Sequence, residues 1–201
     1  MNAKEFLKEL KSSADQRVLT IEKIKRHNLP VIVYGAALCA KNVLNELKSC
    51  NIEVEGFAVD AAYYRENMTY MNLPVYNFDE LSTKSSEYVF VLGLQNASAI
   101  ERVLNKNIKF FYSLDSGHLP ITFNYISDHI DQFIETCNFL NDDFSRKTFV
   151  NYFKLKLSGD VLTDHSTHTP NQYFNGVVSE FKNIRGGGGH SLIAVPIVAI
   201  Q

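Results

Sequence analysis

The chain has 201 residues, 45% of them hydrophobic and 21% charged. That is enough to bury a core for one domain or one and a half, and it excludes the collagen-like, disordered and disulfide-stapled classes. With 20 Lys plus Arg against 22 Asp plus Glu, a net charge of −2, it also lacks the basic footprint of sequence-independent nucleic-acid binding.

From Ala3 to His27 the apolar positions Phe6, Leu7, Leu10, Val18, Ile21 and Ile24 recur at threes and fours among charges. This predicts one or two helices with a weak point near Ser12 and Ser13. The charges among the first ten residues are unlike a signal peptide. Pro30 ends the helical stretch. Val31 to Tyr34 is a short β-branched and aromatic run, Leu38 to Lys48 has helical period, and Ile52 to Val59 reads as a second strand. Pro74 to Tyr76, Tyr88 to Leu92 and Lys109 to Leu114 read as three further strands, with a helix at Ser98 to Asn105 before the last. Alternating strands and helices predict an α/β, Rossmann-like, mainly parallel sheet of about five strands, covered on both faces.

After Pro120, Phe123, Ile126, Ile130, Phe133, Ile134, Cys137 and Leu140 follow helical spacing, as do Phe149, Tyr152, Phe153 and Leu157 after the cap candidate Ser145. A helical segment therefore succeeds the sheet. Ser158 to Pro170 is polar and reads as a loop, and Gln172 to Phe181 as another short helix. Gly186 to Gly189 open an atypical tail. The expected organisation is a helical segment over 1–27, the α/β domain over 28–118, helices over 119–182 and the tail over 183–201. Leu192 to Ile200 is about half the roughly 20 residues needed to cross a bilayer and contains Pro196. No membrane span is expected. The cysteines Cys39, Cys50 and Cys137 are odd in number and widely spaced, which fits reduced thiols in a cytoplasmic protein.

Val31-Ile-Val-Tyr-Gly35-Ala36-Ala37-Leu-Cys-Ala40 ends a strand and opens a helix, where backbone N–H groups and the helix dipole favour a phosphate. The spacing of Gly35, Ala37 and Ala40 copies the dinucleotide fingerprint, but the Ala37 methyl group stands where a pyrophosphate approaches the backbone. Asp60, at the end of the second strand, lies 25 residues past Gly35, roughly where an acid can bond a ribose hydroxyl. The structural alternative is that Gly35 permits a tight turn and Asp60 caps the next element. Asn96 and Ser98 stand at the same sheet edge as ligand contacts or helix caps. His118, after the fifth strand, is the acid/base candidate or a loop histidine.

Asp164, His165 and His168 place two imidazoles and a carboxylate within five residues, as short metal-binding tracts do, but no further strong ligand is predictable nearby, so a solvated loop is expected. Asp128, His129 and Asp131 read as the solvent face of a helix. Tyr63, Tyr64, Tyr70 and Tyr76 can stack a sugar or base, or cover the sheet. Cys39 at a helix N-terminus would have a lowered pKa if exposed, yet no neighbour marks it as a nucleophile.

The succession Val31-Ile-Val-Tyr-Gly-Ala-Ala, Lys41-Asn-Val-Leu-Asn-Glu-Leu, Val54-Glu-Gly-Phe-Ala-Val-Asp60, then Leu140-Asn-Asp-Asp-Phe-Ser-Arg-Lys-Thr-Phe149, Leu155-Lys-Leu-Ser-Gly-Asp160 and Asn171-Gln-Tyr-Phe174 resembles the N-terminal half of bacterial FkbM-type methyltransferases. It covers roughly 28 to 182. The resemblance implies the accessory region of an S-adenosylmethionine-dependent enzyme that methylates a hydroxylated acceptor, a glycan or another small molecule. In that family an Asp-x-Gly-Ala strand end comes next and holds the cofactor. Here Asn183 to Gln201 contains no Asp or Glu. The expectation is a truncated or frameshifted product, with no catalytic residue and no cofactor in this chain. The Tyr34-Gly35-Ala36 turn also resembles the small N-terminal domains of bacterial sugar N-acyltransferases, which implies a free-standing nucleotide or nucleotide-sugar binding module at Gly35, Asp60 and Asn96. The partners expected are such a small-molecule ligand and a second copy of the chain, with neither nucleic acid nor membrane.

Overall fold

The computed structural model describes residues 2–94, 101–103, 106, 108–114 and 121–160. Helix α1 (Ala3–Arg26) opens with a capping box, in which the Asn2 side chain accepts from the Glu5 N–H and the Glu5 carboxylate reaches back to the Asn2 N–H. It runs unbroken through Ser12 and Ser13. Two serines cost a helix only about 0.5 kcal/mol each, whereas both halves of α1 are anchored by buried residues, Phe6 and Leu10 on one side and Thr20 and Ile24 on the other. Packing overrides propensity, and the expected weak point is absent.

Strand β1 (Val31–Tyr34), helix α2 (Leu38–Ser49) and strand β2 (Val54–Val59) form the first parallel unit. They are followed by β3 (Thr69–Tyr70), β4 (Leu73–Asn77), the short helix α3 (Phe78–Ser82), β5 (Val89–Leu92) and β6 (Phe111–Ser113). The order across the sheet is β3-β4-β2-β1-β5-β6, with every pair parallel except β3 with β4. Taken alone, the parallel strands have the doubly wound order 3-2-1-4-5 of a Rossmann-like sheet. The fold is therefore α/β as the sequence predicts, with a sixth, antiparallel strand that the sequence did not announce. Its two-residue turn uses Met71 and Asn72 at φ 52° and 63°, the geometry of a type I′ hairpin, without the Asn-Gly pair that usually signals one.

β1 and β5 are buried along their whole length. Their side chains alternate between two cores. Val31, Val33, Val89 and Val91 face the core shared with α1 and α2, whereas Ile32, Tyr34, Phe90 and Leu92 face the one shared with Phe78 and Val103. Burial on both faces is why these strands read as continuous apolar runs, each fully buried side chain contributing about 1.5–3 kcal/mol.

The remaining helices are α4 (Phe123–Asp128), α5 (Ile130–Phe139) and α6 (Asp143–Ser158). The stretch from Phe123 to Leu140 is two helices, because the chain breaks at His129, whose ring stacks on Tyr125 at 4.4 Å and whose Nδ1 lies 2.9 Å from the Tyr125 carbonyl oxygen. The cap of α6 is Asp142 rather than Ser145: its carboxylate accepts from the Ser145 N–H at 2.7 Å and from the Ser145 hydroxyl at 2.6 Å. These helices close an aromatic core on the first half of α1, where Phe6, Phe133, Phe149 and Phe153 stand at centroid distances of 4.9–6.4 Å.

Helix α1 thus belongs to the aromatic core and to the sheet core that it shares with α2, and polar bonds lock the joint. Arg17 makes a bidentate pair with Glu46 of α2 and donates to the Leu114 carbonyl after β6. The buried Ser113 hydroxyl donates to the carbonyl of Gly159, the left-handed C-cap of α6, at 2.7 Å. Among the described residues, no helix is long and apolar enough to cross a membrane.

Candidate functional site

In a doubly wound sheet, ligands favour the crevice where the strand order reverses, beyond the carboxyl ends of the strands. Here that point lies between β1 and β5, at Gly35 and Gly93. Gly35 has φ +122°, a conformation that L side chains rarely adopt. Its N–H donates to the Ala58 carbonyl at 2.8 Å, and the Gly93 N–H donates to the Tyr34 carbonyl at 2.8 Å. The strands meet so closely that a Cβ on Gly35 would lie 2.7 Å from the Gly93 oxygen and 2.9 Å from the Leu94 side chain. A Cβ on Gly93 would strike Ala40 and Val33 at 2.8 Å. Both glycines are required by packing of the chain on itself.

Ala36 is half-buried against the core beneath α2. Ala37 is the N-cap of α2, with extended backbone and no side-chain bond to the first turn, which also carries no acidic residue. Its carbonyl oxygen accepts from the Lys41 N–H and from the Tyr70 hydroxyl, the latter at 3.1 Å. Tyr70 packs edge-on against Phe57, whereas Tyr63 is 71% exposed. Cys39, in the first turn of α2, is half-buried.

Asp60 ends β2 beside this turn and has partners on both oxygens. Oδ1 accepts from the Tyr34 hydroxyl at 2.6 Å and Oδ2 from Arg102 at 2.8 Å. Its backbone carbonyl, not its side chain, accepts from the N–H groups of Tyr63 and Tyr64 in the following turn. Tyr34 is wholly buried and stacks on Phe78 at 4.0 Å. Burial first, and the Asp60 hydrogen bond next, push its phenol up to about 12. Nearby, the Lys106 hydrogen bond holds the Asp79 carboxyl below the usual carboxylate range.

Of the site residues expected from the sequence, Gly35, Ala36 and Asp60 are brought together at one edge. Asn96, Ser98 and His118 lie outside the described residues, as do Asp164, His165 and His168. Sequence reasoning did not find Tyr34 or Arg102 as the partners of Asp60. A usable signal existed for the first: a tyrosine ending a strand buried on both faces needs an acceptor for its hydroxyl, and the nearest strand end supplies Asp60. Among the described residues no group of His, Cys, Asp and Glu is arranged to hold a metal ion.

No family model and no curated protein matches the chain. Among solved structures, methyltransferase FkbM from Methylobacillus flagellatus KT superposes with a TM-score of 0.51 at 16% identity. The match covers 85% of this chain and 53% of that one, so the chain spans about half the length of that protein. The FkbM resemblance read from the residues is borne out as a likeness of fold: the chain is an α/β, Rossmann-like module related in architecture to an FkbM methyltransferase.

Proposed function

We propose that this chain is an accessory module of an FkbM-like, S-adenosylmethionine-dependent methyltransferase, serving acceptor binding or association and not methylating alone. The acceptor is a glycan or other small hydroxylated molecule, the setting is cytoplasmic, and self-association is part of the role. The observation that carries this reading is the fold likeness, which extends over most of the chain yet only about half of the methyltransferase it resembles. At the carboxyl edge of the sheet each oxygen of Asp60 is bonded within the fold, to Tyr34 and to Arg102, which suits a structural role for this residue. Isothermal calorimetry on the full chain tests the proposal. No uptake of S-adenosylmethionine is expected, and stoichiometric binding would overturn it.

One observation favours a second reading, a free-standing nucleotide or nucleotide-sugar module. The first turn of α2 has neither a side-chain cap nor an acidic residue, which suits an anionic group. A thermal shift with a nucleotide sugar that is lost in Asp60→Asn selects that module. Silence towards nucleotides, nucleotide sugars and S-adenosylmethionine alike selects the accessory role.

A further inference from the structure

At the amino edge of the sheet, opposite the candidate site, the ends of α1 and α2 and the starts of β1 and β2 border an open groove of about 610 Å³. That lies within the usual range for a small-molecule site, about 300–1,000 Å³. Its apolar lining includes Leu29, Pro30 and Ile52, and its polar lining comes from Lys25, Asn28, Asn51, Glu53 and Glu55. Lys48 stands where the groove continues past Asn51. All six of these polar residues are exposed, and among the described residues none of their side chains makes a hydrogen bond or an ion pair.

Two features of the backbone bring these groups here. Asn28 and Asn51 each follow a helix in left-handed conformation, at φ 49° and 57°, and their N–H groups donate to the carbonyls of Lys25 at 3.2 Å and Lys48 at 3.0 Å. Glycine is the ordinary residue at such a helix end and would close both turns without strain. Asparagine at both adds two carboxamides to the groove. The second feature is a slip in register between β1 and β2, where Val31 pairs with Val54 but Ile32 pairs with Gly56. Glu55 is thus the extra residue of a bulge, a device that is rare between parallel strands and re-aims a side chain. It is the exposed member of a strand otherwise buried from Val54 to Val59.

The chemistry of the lining selects its occupant. Two ammonium groups balance two carboxylates, and the carboxyl ends of α1 and α2 add partial negative charge that turns phosphates away. A cation would leave the carboxamide N–H groups unused and would face Lys25 and Lys48. The carboxamides both donate and accept, as hydroxyl groups do. Donors and acceptors interspersed along an apolar lining match a ring with hydroxyls at its rim and C–H groups on its face. We infer that this groove is a saccharide site, in which Asn28, Asn51, Glu53 and Glu55 bond the hydroxyls of an uncharged pyranose and Leu29 and Pro30 meet its C–H face. The assignment rests on the groove alone. Joined to the accessory reading above, it gives acceptor binding a location remote from Gly35.

Nuclear magnetic resonance of the isotope-labelled full chain, titrated with the methyl glycosides of glucose, galactose, mannose, rhamnose and N-acetylglucosamine, tests it. At least one glycoside is expected to shift the carboxamide signals of Asn28 and Asn51 saturably, with the amide signals of Gly35 and Asp60 unmoved. Glu53→Gln and Glu55→Gln, exposed substitutions that keep an acceptor and remove a charge, should each weaken that binding by about three- to tenfold. Glu87→Gln, outside the groove, should not. Shifts that centre on Gly35, binding indifferent to both groove variants, or no response to any of the glycosides overturns the inference. A response to spermidine or inorganic phosphate that exceeds the response to every glycoside also overturns it, since the groove would then be selecting charge. Silence of the glycosides leaves the calorimetric test of the methyl donor untouched, so the two readings fail separately.

Discussion

The sheet and the helical layer are built on opposite plans. In the sheet, mostly aliphatic side chains fill the core shared with α1 and α2, the rings of Tyr34, Phe78 and Phe90 stand among aliphatics in the other, and the backbone closes on itself at the carboxyl edge, where Gly35 and Gly93 leave no room for a Cβ. In the helical layer a cluster of phenylalanines fills one side of each helix, and α6 keeps Phe144 and Tyr152 exposed on the other. At the described part of the carboxyl edge, Gly35, Gly93 and Asp60 are held by the protein's own groups, whereas the appended helices carry Phe139 and Phe144, the two exposed phenylalanines among the described residues.

Closing the sheet edge more tightly than it allows should have the largest effect. Gly35→Ala must hold a side chain at φ +122° with its Cβ 2.7 Å from the Gly93 oxygen, which should cost about 3 kcal/mol, read as a lowered urea midpoint. A midpoint unchanged from the parent would mean that the turn has slack and that its glycine is kept for a ligand. Breaking the joint should come next. Arg17 and Glu46 are 17% and 19% exposed at the side chain, and Arg17→Met strands a mostly buried carboxylate, a loss of about 2–3 kcal/mol. Fluorescence and circular dichroism melts that coincide in the parent should separate in this variant, as α1 no longer couples the two regions.

The same contrast sets what was legible in the residues. β1 and β5 stand out as apolar runs because both their faces are buried, and the bundle stands out because one face of each helix is. Local chemistry that packing overrides was not legible. Ser12 and Ser13 suggest a break in α1 that burial on both sides removes, and the Met71-Asn72 turn forms without a glycine. Neighbouring cap residues mislead in the same way. Asp142 and Ser145 both carry capping side chains, and only the geometry shows that the carboxylate accepts and the serine donates. At the candidate site, Gly35 and Asp60 were legible as a strand-end pair. That Asp60 bonds Tyr34 and Arg102 was not, because those contacts join residues far apart in the chain.

Tyr34→Phe sharpens the comparison from inside the sheet. Removing the hydroxyl leaves Asp60 without one of its donors, and the loss at neutral pH should be about 1.5 kcal/mol, measured by urea unfolding. The effect depends on pH. The phenol stands at about 12 in the folded chain against an ordinary 10.0, so the neutral form is favoured by folding. Its contribution is complete below pH 10 and is lost as pH rises from there through about 12. The parent and Tyr34→Phe should therefore converge in stability over that interval. A constant gap would mean that Tyr34 is not the group that titrates.

The smallest effect belongs to the helical layer, where Asp142→Ala removes the cap of α6. Its carboxyl is held below the usual range first by the Ser145 hydroxyl and then by the Ser145 N–H. A depressed carboxylate supports the fold above its unfolded pKa and loses that support as pH falls through its folded one. The variant should thus melt slightly below the parent at neutral pH, by less than Tyr34→Phe does, and the difference should vanish below the ordinary carboxylate range. Because Asp142 is fully solvated and Phe144 beside it is exposed, the loss should stay in the first turn of α6 and leave the aromatic core of Phe6, Phe149 and Phe153 in place. Hydrogen exchange that quickens at Asp143 to Arg146, with Val150 to Leu157 unchanged, is the expected pattern. Quickening along the whole of α6 would mean that its order rests on this cap rather than on the core beneath it.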